Sequence, residues 1–187
     1  MPASSLKMTA RLFAERTDQT IDFLGKGIAW MTITMVLVMA TVVILRFVFN
    51  IGWVWLQESV NYLHAYIFML GAAYTLRHDG HVRVDIFYRQ MSTKRKALVD
   101  LLGTLFLLIP VSGFIFYASW APTLEAWSTL EGSQRTGGLD FAYILKSSML
   151  LMPVLLILQG LAIGIQKSLI IFDPSDHKID SPGTSNG

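Results

Sequence analysis

Residues 27–45 read GIAWMTITMVLVMATVVIL, with Lys26 before them, Arg46 after them and no charge between. A helix rises about 1.5 Å per residue, so about 20 apolar residues cross the ~30 Å hydrocarbon core of a bilayer. This stretch has that length, and it recurs. Ser59–Leu76 is charge-free and closed by Arg77. Leu101–Leu124 follows Asp100, and Ser147–Gln166 lies between Lys146 and Lys167. With their ends included, the spans are expected at 27–49, 54–76, 98–122 and 144–167. The fold class is an all-α membrane protein with four transmembrane helices. Lipid cannot satisfy an exposed backbone, and the chain lacks the alternation of barrel strands.

Composition agrees with this reading. Of 187 residues, 53% are hydrophobic and only 15% charged, against about 25% charged in an ordinary soluble domain. The chain has no cysteine, which excludes disulfide frameworks, Cys-ligated zinc, iron–sulfur centres and thiol chemistry. A net charge of +2 argues against nucleic acid as a partner.

Outside the membrane domain, 27–172, lie two segments. Residues 1–26 are expected to be cytoplasmic or interfacial: both charge signs are mixed with Leu6, Met8, Leu12 and Phe13, which suits a short interfacial helix or a frayed end. This leader is too long, and its span too long, for a cleavable signal peptide, so the first span is read as an anchor. Residues 173–187 read as a disordered tail.

Lysine and arginine set the orientation. The leader, the loop after the second span and the tail hold twelve of the fifteen. Arg46, Arg135 and Lys146 are the rest. Both termini are therefore expected in the cytoplasm, with Trp53, Trp55, Trp120 and Trp127 at the outer ends of the spans.

Few residues invite chemistry. Glu58 is read as a carboxylate at the outer end of the second span, paired or solvated rather than a proton site. Together with Asn61, Tyr62, Ala65 and Ala72 it lies in one stripe at helical spacing, polar at its end and small along its length, which suits a protein-facing surface. His64 is read as a neutral imidazole bonded to a neighbouring helix. Lys146, Pro153, Gly160 and Gly164 share one face of the fourth span, with a G-x-x-x-G for close packing. Arg77-His78-Asp79-Gly80-His81-Val82-Arg83-Val84-Asp85 is the densest polar cluster. Its arginines disfavour a divalent metal, so it reads as a cytoplasmic turn tied by Arg–Asp pairs. In the third span, Pro110 can kink the helix. No Walker loop, nucleophile elbow or zinc-protease motif is present. The residues thus give no catalytic, cofactor or metal site, and they describe a small helical protein suited to packing beside a larger partner.

The stretch Gly71-Ala-Ala-Tyr-Thr-Leu-Arg77 followed by His81-Val-Arg-Val-Asp85 resembles the signature of the small permease subunit of TRAP transporters, the DctQ type. Glu131-Gly132-Ser133, Gly137-Gly138-Leu139, Lys146 and Leu158-Gln159-Gly160-Leu161 support the resemblance, which runs from about Asp22 to Lys167. It implies a bacterial inner-membrane, multi-pass, non-enzymatic subunit that braces a large permease. That permease would couple uptake of an organic acid, of the carboxylate or keto-acid class, to sodium. A periplasmic substrate-binding protein would deliver the acid. The resemblance places the sodium and substrate sites in the large permease and leaves Arg77, His81 and Asp85 to fix the cytoplasmic turn. The alternative from another class is a haem- or quinone-binding membrane anchor of a respiratory complex, which would need facing histidines inside the spans.

Overall fold

The computed structural model describes residues 2–78 and 91–172. Within them the chain forms four long helices: α1 (Pro2–Val48), α2 (Val54–Arg77), α3 (Thr93–Ser128) and α4 (Ala142–Phe172). Three stretches are long and apolar enough to cross a membrane: Lys7–Val48, Thr93–Ser128 and Ala142–Ile171. Four were expected. At 24 residues α2 is long enough, at about 36 Å, but Gln57, Glu58, Asn61 and His64 lower its hydropathy.

The 47 residues of α1 extend about 70 Å, more than twice a bilayer core. The leader expected to be a separate interfacial helix or a frayed end is instead the continuous first half of this helix. The reason lies in its periodicity. Ala10, Ala14, Thr17, Ile21, Leu24, Ile28, Met31, Met35, Val38, Val42 and Leu45 are buried or half-buried, at spacings that alternate between four and three. A strict seven-residue repeat keeps one seam against its neighbours along the whole helix, as in a coiled coil. Ala14 and Ile21 are fully covered, so the leader is packed onto the bundle. The helix ends at Val48 and is closed at Asn50, whose φ of 58° lets the Ile51 N–H donate back to the Leu45 carbonyl at 2.9 Å. Asparagine tolerates this left-handed closure well.

Helix α3 carries its own seam of small residues. Ala97, Thr104, Ser112, Ser119 and Ala126 are buried, spaced seven, eight, seven and seven. The extra residue falls where the helix widens into a π-helical turn at Thr104–Leu108. That turn takes up one residue and returns the small side chains to the same face. Pro110, just beyond it, has no N–H to give to a carbonyl in the turn.

Helix α4 is the hub. It packs against α1, α2 and α3. Its buried side chains are small or compact: Ser148, Pro153, Gly160 and Ala162, with Gln159 among them. Between membrane helices, where lipid tails are as apolar as leucine, close approach of small residues supplies the packing. An ideal Cβ at Gly160 would lie 2.7 Å from Leu108 Cδ2 and 3.3 Å from Thr104 Cγ2. The glycine therefore lets α4 lie directly against the π turn of α3.

Candidate functional site

Two polar clusters hold the bundle, one near each end of α2. The first is built on Glu58. The carboxylate is 9% exposed, although it lies only one turn into α2. Its partners come from the α3–α4 loop. The Ser133 hydroxyl donates to Oε1 at 2.6 Å, and the Leu139 N–H donates to Oε2 at 2.8 Å. The Arg135 N–H in turn donates to Ser133 Oγ at 3.0 Å. Gly138 sits directly against Glu58 and Ser133, where a Cβ would collide with both, and Gly137 turns the loop at φ 77°. The loop is thus shaped to wrap a carboxylate. Around it, Tyr66 donates to the Ile144 carbonyl at 2.7 Å, Trp127 Nε1 to Ser147 Oγ at 2.8 Å, and Lys146 to Glu131 at 2.5 Å.

The second cluster joins three helices at the other end. Asp18 of α1 accepts from Gln159 Nε2 on Oδ1 and from Gln166 Nε2 on Oδ2, each at 3.0 Å. Arg77 of α2 pairs with Asp18 and Asp22 and donates to the Asp18 carbonyl. His78 Nε2 stands 3.7 Å from Asp22. Gln159 is 1% exposed, and its Oε1 has no hydrogen-bond partner among the described residues. Nearby, Lys167 pairs with Asp100 at 2.7 Å, which ties α4 to α3. Each of these charges is paired within the chain.

The expected site residues fall into distinct places. Glu58 is paired as expected of a carboxylate at a span end, and its partners belong to this chain. Tyr62, Ala65 and Ala72 are half-buried on the side of α2 turned toward the chain's own helices, where Ala73 is fully covered. Asn61 and His64 point the other way and are exposed. Neither makes a hydrogen bond among the described residues, so His64 is not bonded to a neighbouring helix of this chain. Lys146 is half-buried against Glu131. Gly160 meets α3, and at Gly164 a Cβ would have only an ordinary 3.7 Å contact with Leu101 Cδ1. Arg77 reaches back to α1, and the turn it was expected to fix lies outside the described residues. His81 and Asp85 lie outside the described residues.

Sequence reasoning missed Asp18, Asp22 and Gln166 as structural groups. A signal existed: two aspartates one turn apart before the first apolar run, and two glutamines seven residues apart in or beside the last one. Among the described residues no group of three potential ligands could hold a metal ion.

No curated protein and no solved structure matches the chain. The family model for tripartite ATP-independent periplasmic transporters, DctQ component, matches residues 35–167. That region takes in the last 14 residues of α1, all of α2 and α3, the loop that wraps Glu58, and α4 as far as Lys167. The chain belongs to the DctQ family, the small permease component of TRAP transporters.

Proposed function

We propose that this chain braces the large permease of a TRAP transporter for sodium-coupled uptake of an organic acid, of the carboxylate or keto-acid class, delivered by a periplasmic binding protein. In this reading it crosses the bacterial inner membrane four times with both termini in the cytoplasm, and the sodium and substrate sites belong to the permease. The observation that carries the proposal is where its polar groups are spent. Glu58, Asp18, Asp22, Arg77, Glu131 and Lys146 hold its own helices and loop to one another, as befits a static support. Moving an anion by alternating access calls for a convergent site with broken helices around it. The family match does not favour the haem- or quinone-anchor alternative.

Reconstitution tests this. The binding protein's own acid is identified by mass spectrometry of the co-purified ligand. Its uptake into liposomes under an inward sodium gradient is then measured with each component omitted in turn. Uptake should need all three. Full uptake without this chain would reject the bracing role, and uptake by this chain alone would reject the scheme.

A further inference from the structure

The outward face of α2 is a line of five residues at positions 61, 64, 68, 71 and 75. Asn61, His64, Phe68 and Thr75 are exposed, and Gly71 is half-covered with no atom within 4 Å of where its Cβ would be. The spacing of three and four puts all five on one side of the helix. His64 stands ten residues from Val54 and thirteen from Arg77, about 15 and 20 Å along the axis. In a helix that crosses the membrane it is therefore near the mid-plane, with Asn61 one turn away.

Thr75 gives its hydroxyl to the Gly71 carbonyl at 2.9 Å, as a lipid-exposed threonine can. Asn61 and His64 have no such outlet. An amide or imidazole in hydrocarbon without a hydrogen bond is costly, and acyl chains offer none. Whatever covers this line must bring donors and acceptors to mid-membrane depth, which only protein can do there. Two more features describe the shape of that partner. Beside the pair lies a notch of about 290 Å³, lined by Met35, Val36 and Met39 of α1 and by Val60, Asn61 and His64 of α2. It has room for one bulky side chain, and its methionines can adapt to it. About two turns beyond His64 along α2, Gly71 leaves the backbone open to close approach by a second helix.

We infer that the Asn61–His64–Phe68–Gly71–Thr75 line is the docking face for a transmembrane helix of the large permease, which hydrogen-bonds Asn61 and His64 at mid-membrane and inserts a side chain into the notch. This rests on the bracing role proposed above and adds which surface carries it. The outward faces of α3, with Phe106 and Phe114 each 71% exposed, carry no comparable polar pair and meet lipid.

The test uses the whole transporter. A photo-crosslinking amino acid is placed singly at His64, Phe68, Phe106 and Phe114, and the complex is irradiated in the membrane. Adducts with the mass of the permease should arise from 64 and 68 and not from 106 and 114. Permease adducts only from 106 and 114 would overturn the face while leaving the bracing role intact. So would a lack of protein adducts from 64 and 68 while the permease still co-purifies. An adduct of twice the mass of this chain would assign the face to a second copy and overturn the inference. Failure of the unmodified chain to co-purify with the permease would instead overturn the bracing role itself. In parallel, His64→Leu should weaken association about threefold, the effect of one average polar contact between membrane helices, and His64→Gln should restore most of it. Thermal stability of the isolated chain should not change in either variant, because the imidazole bonds nothing within the chain. Unchanged association of His64→Leu would also overturn the inference.

Discussion

Replacing Asp18 by alanine removes the acceptor that joins α1 to α4. Two amide hydrogen bonds at 3.0 Å, from Gln159 and Gln166, disappear, together with one of the two carboxylates beside Arg77. The ion pair contributes little. Its Nε–Oδ1 separation is a long 3.8 Å, and Asp22 still balances Arg77. The hydrogen bonds decide the outcome. Polar contacts between membrane helices average about 0.6 kcal/mol and reach about 1.7. Gln159 is fully buried with its Oε1 already unpartnered, so loss of Asp18 strands the whole amide, at about 1–3 kcal/mol. Together the loss should be about 2–4 kcal/mol. Asp18→Asn should lose about half, because it keeps an acceptor for Gln159 but turns a second NH2 group toward Gln166. The double variant Asp18→Ala/Gln159→Leu should recover part of the loss, since removing both partners leaves nothing stranded. Unfolding in detergent micelles, followed by tryptophan fluorescence against added SDS, measures all three. An Asp18→Ala variant within about 0.5 kcal/mol of the parent would refute the assignment of this cluster as the joint between α1 and α4.

Glu58→Leu should free the 131–140 loop, with faster protease cleavage there, while Gly138→Val should do the same from the other side by collision with the carboxylate; parent-like resistance in both would mean the loop is held by other contacts. Gly160→Leu should cost about 1–3 kcal/mol by forcing α4 off the π turn of α3, whereas Gly164→Ala should stay within about 0.5 kcal/mol because its new Cβ meets only ordinary contact; equal effects in the same micelle titration would remove the distinction between the two glycines. For topology, Ser92→Cys should resist an impermeant thiol reagent in intact cells and Gln134→Cys should react. Gln134 is exposed and avoids Ser133, whose hydroxyl serves Glu58. The reverse labelling pattern would invert the proposed orientation.

Local properties of the chain were enough to reveal three things: that the fold is helical, where three membrane-length runs lie, and that small residues line their faces. Hydropathy and charge are additive along a stretch, and the bilayer reads them that way. The DctQ resemblance was legible too, because its motifs are contiguous. The rotation of α2 about its axis was not legible. Polar and small residues are spread around its circumference, so by sequence Asn61 reads in one partner-facing stripe with Glu58, Tyr62, Ala65 and Ala72. The loop from residues 131–140, folding back to donate to Glu58, and Arg77, pairing with α1, turned one side inward and left the other bare. The same holds for Asp18, whose partners lie 141 and 148 residues away. No periodicity reports a contact at that separation. The eight-residue gap between Thr104 and Ser112 was visible in the chain, yet it gained meaning only once α4 lay against α3 and the π turn brought the small side chains back to one face. Sequence decided which segments become helices, because that depends on neighbours along the chain. Which side of each helix is sealed and which is left for a partner depended on tertiary contacts that close over the whole length of the molecule.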